Sequence, residues 1–457
     1  MTAPPEMVKK EEPKVPQTKA AVGKGVKAVF QTVVSRVLIQ GLNVLTGIMT
    51  ARMLMPAGRG ELAAIILWSG LLAGLTSFGL PTAMIFHIRR SPERVADMTW
   101  NALFLCTVIS CLTAAVGAVC MPSWLHQYPH WAIVAAQWFL LITPVASVTY
   151  ILRAALEAKQ NFSGSNLSQI LNPAAVLVIL GVLYELHRFD TLTAACAYIF
   201  AALPPIGLLL WRSRSLFDRG VKLRWATQKL LLSYGVRSYG IDLIGTLALQ
   251  VDQVLVVSFL HPAELGVYVV MLSLSRVLNV FQGSVVAVLF PKATGLSMET
   301  TLAMTSRAVR MSTAITAVAA VTLGIVGPIL LRIFYGRAYT SSIGTLRLLL
   351  VEVVLSGATV VLAQAFMALG RPGFVTSLQG VGLAVCVPMM LLLIPRWGIA
   401  GAAASLLIST TCRFITIYVS FRLVLKTKAP RLLLKKEDLL PLLTLLLRRT
   451  SEPTVAQ

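Results

Sequence analysis

Acidic residues are scarce in this chain: 18 Asp and Glu stand against 40 Lys and Arg in 457 residues, and charged residues make up only 13%. A water-soluble protein of this length needs a charged skin, and this one cannot build it. Hydrophobic residues reach 56% and mean hydropathy is +0.78, so the bilayer must act as its solvent. Cysteine is sparse too. Six occur, at Cys106, Cys111, Cys120, Cys196, Cys386 and Cys412, with no CxxC and no Cys/His cluster. That excludes a disulfide framework and a zinc site. No Walker A loop, nucleophile elbow or H-E-x-x-H sequence is present, which implies that the chain does not itself hydrolyse ATP and argues against an enzyme. No cofactor is expected beyond coupling to a proton or sodium gradient or to the membrane potential. The formal net charge of +22 lacks any basic and aromatic groove pattern, so nucleic acid is not an expected partner.

Long apolar runs are what the chain does have. About twelve are long enough to cross hydrocarbon as helices: 28–51, 62–86, 98–121, 131–152, 167–186, 191–211, 230–258, 265–290, 309–333, 345–369, 374–394 and 399–425. A barrel would need alternating polar positions, and these are absent. The expected fold is therefore all-α and integral to the membrane. Before the first run, residues 1–27 are rich in Pro, Lys and Glu and read as a disordered basic arm. Residues 212–229 form a basic linker between six-helix lobes at 28–211 and 230–425, and 426–457 is a tail. Within that tail Leu439–Leu447 is too short to span and is expected to lie on the membrane surface.

The second half copies the first. Pro56-Ala57-Gly58-Arg59-Gly60 returns as Pro262-Ala263-Glu264-Leu265-Gly266 at an offset of 206 residues. The apolar hairpin at 230–295 that carries the second copy opens the second half. Ala158–Phe162 also resembles Gly370–Phe374, at an offset of 212. Six spans per half give the two copies one orientation, related by an axis along the membrane normal. Lys and Arg cluster in the N-terminal arm and in alternate loops, at Arg89, Arg90 and Arg94, at Arg153 and Lys159, and across 212–229. The loops at 122–131 and 259–264 hold none, so both termini are expected in the cytoplasm. Trp124, Trp131, Tyr335 and Tyr339 fit anchors at the opposite interface.

Ionisable side chains at membrane depth cost about 2.5–3.5 kcal/mol each, so they face a wet cavity or a partner. Six qualify: Arg36, Arg237, Asp242, Asp252, Arg276 and Glu352. Each is open to two readings, a site residue or one member of a packing ion pair. Glu352 leans towards packing, and Arg237 is close enough to a span end to snorkel. The offset of 206 makes Arg36 the counterpart of Asp242.

Several short motifs in order resemble one superfamily. They are Thr50-Ala51-Arg52-Met53-Leu54-Met55-Pro56 with Gly60, Val251-Asp252-Gln253, Gly266-Val267-Tyr268, Phe290-Pro291, Phe334-Tyr335-Gly336 with Tyr339, Ala368–Pro372, and Ile394–Ala403. Together they cover about 28–425 and resemble the multidrug/oligosaccharidyl-lipid/polysaccharide exporters, within them the Wzx-type flippases. The resemblance implies a V-shaped two-lobed bundle in a bacterial inner membrane that alternates its opening between the two faces. It implies a lipid-linked oligosaccharide on undecaprenyl pyrophosphate as substrate. Membrane lipids are implied partners, with a polysaccharide polymerase and chain-length machinery beside them. On this basis Arg36, Arg237 and Arg276 are candidates for substrate contact. Asp242, Asp252 and Glu352 are candidates for ion coupling or for holding the arginines. A peptidoglycan-precursor flippase and a cation-coupled drug exporter are the nearest alternatives, and a membrane glycosyltransferase or ligase is a third from another class.

Overall fold

The computed structural model describes residues 19–216, 223–294 and 296–432. Among these residues there are helices and turns and no strand. The helices are α1 (Lys19–Leu75), α2 (Leu80–Arg90), α3 (Val95–Trp124), α4 (His130–Phe139), α5 (Ile142–Ala158), α6 (Phe162–Glu185), α7 (Thr191–Phe200) and α8 (Leu203–Ser213). The second half supplies α9 (Trp225–Phe259), α10 (Pro262–Arg276), α11 (Asn279–Ala293), α12 (Met298–Leu330), α13 (Ile343–Ala368) and α14 (Pro372–Leu423). Helix α1 begins at Lys19, inside the arm expected to be disordered, because Ala20, Ala21, Val26 and Ala28 are compatible with a helix running into the first span. The interfacial helix expected at 439–447 lies outside the described residues.

Two of these helices are too long to be single crossings. At 52 residues α14 would extend about 78 Å, more than twice the hydrocarbon core. It doubles back instead at Gly398, whose φ of 55° and ψ of −134° break the helix. Arg371 Nη1 donates to the Val424 carbonyl at 2.8 Å and Ser409 Oγ to that of Gly382 at 2.7 Å, each pair straddling the break. Helix α1 breaks in the same way at Met55 (φ 59°, ψ 175°), where Pro56 removes a donor and excludes the helical conformation before it. Among the described residues nine helices are long and apolar enough to span, or ten when α10 and α11, bent by 43°, count as one. Both broken helices count twice, which accounts for the twelve runs of the sequence.

The halves meet where the repeated motif meets itself. A Cβ on Gly60 would overlap the Pro262 carbonyl oxygen, and a Cβ on Gly266 would overlap that of Pro56. This is one contact made twice about a pseudo-dyad. Glycine is required because only a bare backbone allows helices so close. Around it, at what we call the Met55 end, three further hydrogen bonds join the halves. Tyr339 Oη donates to the Ala51 carbonyl (3.0 Å), Arg52 Nη1 to Ile333 (3.1 Å) and Gln127 Nε2 to Ser258 (3.4 Å).

Two sequence expectations change here. Tyr339 is fully buried and Tyr335 nearly so, while Trp124 stacks on Trp68 with ring centroids 4.3 Å apart. These rings therefore pack inside the protein, and of the expected interface anchors Trp131 alone is exposed. The second internal repeat also shifts register. Gln160 (φ 59°) and Gly370 (φ 74°) both close a helix in the left-handed region. The following amides reach back identically, Asn161 to the Leu156 carbonyl (2.9 Å) and Arg371 to that of Phe366 (2.8 Å). The structural offset is thus 210 rather than 212, because the left-handed turn, not side-chain likeness, fixes the alignment.

The crossing makes a clear prediction. Gly60→Leu or Gly266→Leu will abolish folded protein, read as loss of the monodisperse peak on gel filtration in detergent. Gly41→Leu, where a Cβ meets nothing within 4 Å, will leave that peak intact.

Candidate functional site

Arg36 and Arg276 come together. Both line a cavity of about 310 Å³ between α1 and the α10–α11 bend, with Gln40, Gln169, Asn279 and Ser284. Arg36 is exposed on α1. Arg276 is the last residue of α10, where the helix breaks and its C-terminal carbonyls favour a cation. One side of Arg276 is held: its Nη2 lies 3.3 Å from Asp252 Oδ2 on α9, which also accepts from Tyr268 Oη at 3.1 Å. Asp252 is only 1% exposed, and its other oxygen, Oδ1, is buried without a partner. A buried carboxylate with one oxygen doubly bonded and the other idle calls for an explanation in function.

The cavity exists because the pseudo-dyad is imperfect. On the equivalent seam, between α2 and α9, Gly79 and Gly235 pack backbone to backbone, and Tyr239 donates its phenol to the Leu75 carbonyl while stacking on Phe78 at 4.9 Å. Nearby, Thr227 Oγ1 donates to Asp97 Oδ2 (3.0 Å) and Asn101 Oδ1 accepts from the Arg224 amide (2.9 Å). The offset of 206 places Val33 where Tyr239 stands, and Val33 is too short to bridge. So one seam is shut and the other stays open around two arginines.

Two further cavities border it. Val37, Gln40 and Val280 are shared with an apolar groove of about 1110 Å³, walled by α1, α10, α11 and α12 through such residues as Leu45, Leu278, Phe281 and Leu323. Ile39 and Gln169 are shared with a polar cavity of about 620 Å³ inside the first half.

The remaining nominated residues do not join them. Arg237 is exposed on α9, two residues past the Gly235 contact, and does not line the basic cavity. Asp242 is half-buried and makes no ion pair among the described residues, so its sequence equivalence to Arg36 is not a contact. Glu352 is partly buried on α13, accepting from Thr410 Oγ1 at 2.7 Å with Arg413 Nη2 at 4.0 Å. Arg413 binds Gln379 Oε1 (3.0 Å) and Thr410 Oγ1 (2.7 Å) as well. Arg413 escaped the sequence reading, and Tyr268 entered it only within the Gly266-Val267-Tyr268 motif, not as a site residue. The rule that found Glu352, a charge deep in an apolar run, finds Arg413 equally, at the middle of 399–425. Tyr268 carries no charge and gave no such signal.

A bundle of two repeated halves, with broken helices and a charged cleft at their seam, is a multi-pass membrane protein with the fold of the multidrug/oligosaccharidyl-lipid/polysaccharide transporters. The chain belongs to the family described as polysaccharide biosynthesis protein, which it matches over residues 26–296. No curated protein matches it in sequence. Solved structures share the fold at low identity. The lipid II flippase MurJ in an inward closed conformation superposes with a TM-score of 0.73, at 12% identity over 93% of each chain. A multidrug resistance MATE family transporter in an inward-facing conformation gives 0.69, at 13% identity over 85% of this chain and 94% of that one. A superfamily transporter from Pyrococcus furiosus, described as having a binding pocket of reverse polarity, gives 0.62 at 14% identity, over 88% and 96%.

The Glu352–Arg413 pair is predicted to be structural. Glu352→Leu or Arg413→Leu alone strands a partly buried charge and will lower stability by up to about 3 kcal/mol. The double variant will recover most of that loss, as measured by thermal unfolding in detergent.

Proposed function

We propose that the protein is a flippase. It moves undecaprenyl-pyrophosphate-linked oligosaccharide repeat units from the inner to the outer leaflet of a bacterial cytoplasmic membrane by alternating access. The product feeds assembly of a surface polysaccharide such as O-antigen, capsule or exopolysaccharide, with a polymerase and chain-length machinery downstream. One observation carries this reading: a basic cavity holding Arg36 and Arg276 borders an apolar groove, the two sharing Val37, Gln40 and Val280 as lining. That order, anion site then hydrocarbon site, is the order of a lipid phosphate. Sugars and a diphosphate cannot cross hydrocarbon unaided. Guanidinium forks suit phosphate oxygens, each charge-assisted contact contributing about 1.5–3 kcal/mol. The Lys and Arg distribution puts the Gly79 end, with Arg89, Arg90 and Arg94, in the cytoplasm. The Met55 end, joined across the halves, then faces out.

Asp252 is the coupling candidate this reading favours, since its idle Oδ1 is free to take a proton or a cation. It also holds Arg276, so both roles first assigned to the acids fall to one residue. Asp242, half-buried and without an ion pair among the described residues, is the second coupling candidate, and Glu352 is assigned to packing. Arg237 is left as an interfacial residue. A cation-coupled drug exporter is disfavoured, because among the described residues no Asp or Glu lines the basic cavity.

The test is surface polysaccharide display in a strain lacking the gene, with analysis of its lipid-linked intermediates. Loss of polymer with repeat units trapped on the cytoplasmic face is the expected result. Arg36→Gln and Arg276→Gln are each expected to lower complementation about tenfold or more, and the double variant to abolish it. Repeat units that still reach the outer leaflet in the double variant would sink the proposal.

A further inference from the structure

We infer that Arg59, with the Tyr198 phenol beside it, is a second diphosphate site, which receives the substrate's headgroup at the Met55 end after it leaves Arg36 and Arg276. The identity of the headgroup rests on the flippase reading. The site itself is read from one cavity wall and from the pairing of the deep charges.

A flipped lipid is not delivered until its phosphate reaches the far leaflet, about 30 Å across the hydrocarbon. Arg36 and Arg276 hold only the near end of that path. Along α1, Arg36 and the break at Met55 are about 28 Å apart at 1.5 Å per residue. Over that stretch the helix has two faces. Leu38, Gly41, Leu45 and Ile48 line the apolar groove. Asn43, Thr46 and Gly47 line the polar cavity of about 620 Å³, and Arg36 lies on their side of the helix, two turns before Asn43. Past the break the chain returns with Arg59, Ile66, Ser69 and Gly70 on the wall of the same cavity, again at helical spacing. Tail and headgroup thus have separate tracks on different faces of one helix. Arg59 stands where the headgroup track ends.

The pairing of charges singles Arg59 out. Three deep arginines each face a carboxylate: Arg276 with Asp252 at 3.3 Å, Arg153 with Glu157 at 3.9 Å, and Arg413 with Glu352 at 4.0 Å. Arg36 and Arg59 make no ion pair among the described residues, and these two stand at opposite ends of the track. Among the same residues no Asp or Glu lines the polar cavity. Arg59 Nε is buried without a hydrogen-bond partner, although Tyr198 stands near the guanidinium on the same wall. A phenol donates or accepts but brings no compensating charge. An idle donor and an unpaired cation at membrane depth are costly, and an anionic ligand relieves both. Diphosphate oxygens match the guanidinium fork. Arg59 also lies at the outer end, against the general distribution of basic residues, so setting the orientation of the chain does not account for it. Its neighbour Gly60 is clamped on the Pro262 carbonyl, which fixes the Arg59 backbone at the joint of the two halves.

The experiment uses the full chain twice: in lipid nanodiscs for calorimetric titration with inorganic pyrophosphate, and in proteoliposomes for translocation of a fluorescent undecaprenyl-diphosphate sugar. Arg59→Gln is expected to lose one bound pyrophosphate per chain and to slow translocation at least tenfold. The Arg36→Gln/Arg276→Gln double variant is expected to lose a different one, so that adding Arg59→Gln removes both. Undiminished pyrophosphate binding in Arg59→Gln overturns the inference. A lost pyrophosphate with translocation at the wild-type rate also overturns it, because the site would then serve a soluble anion. In both of those cases the wild-type chain still moves the lipid, and the flippase reading stands. A wild-type chain that moves no lipid diphosphate overturns the flippase reading and this inference with it. Arg59 adjoins the crossing, so Arg59→Lys, which keeps the charge and loses the fork, guards against misfolding. With the melting temperature unchanged, a second site weakened about tenfold supports the inference, and one at wild-type affinity counts against it.

Discussion

The whole bundle depends on a backbone crossing that no side chain can mediate. Gly60 lies on the Pro262 carbonyl and Gly266 on that of Pro56, so each half supplies both the gap and the group that fills it. In a bilayer the hydrophobic effect does not drive helices together, and close packing takes its place. The proline four residues before each glycine stands at the start of a new helix, which is why the crossing falls just after a turn in both halves. Everything nearer the Gly79 end is then free to differ between the copies, because the register is already fixed here.

That freedom is where the site comes from. A tyrosine at 239 seals one seam, and a valine at 33 leaves its counterpart open. The break between α10 and α11 turns the helix end, with Arg276, towards the gap, and Asp252 with Tyr268 fixes the guanidinium from behind. A symmetric scaffold thus acquires one entrance.

Much of this was legible in the chain. Apolar run length anticipated the nine or ten spans of the described residues, which become twelve when the two broken helices are each counted twice. The Pro-Ala-x-x-Gly repeat gave the two halves, because glycine and proline act through the backbone and survive divergence of everything else. Depth and charge together brought Arg36, Asp252 and Arg276 to notice, and the structure places them around one seam. What was not legible depended on which way a helix faces. Arg237 and Asp242 satisfied the same criterion and line no part of that cavity. Tyr335, Tyr339 and Trp124 lie at span ends like interfacial anchors, and only packing reveals them as interior. The shift from 212 to 210 has a similar origin, for a left-handed turn leaves no single residue signature when Gln160 and Gly370 both adopt it.

The hydrogen bonds at the Met55 end invite a different kind of accounting. Tyr339, Arg52 and Gln127 each reach one backbone carbonyl of the other half. Such bonds are individually modest, about 0.5–1.5 kcal/mol net for the two neutral donors and up to about 3 for the Arg52 guanidinium, so the three together hold no more than about 6 kcal/mol. Reversing a two-state equilibrium from 1:99 to 99:1 takes about 5.5 kcal/mol of differential affinity. The clasp is therefore of the same size as the preference a single ligand has for one state over another. Ion pairs buried at that end would have locked it beyond a ligand's reach, and bare apolar contact would have left it without a preferred position.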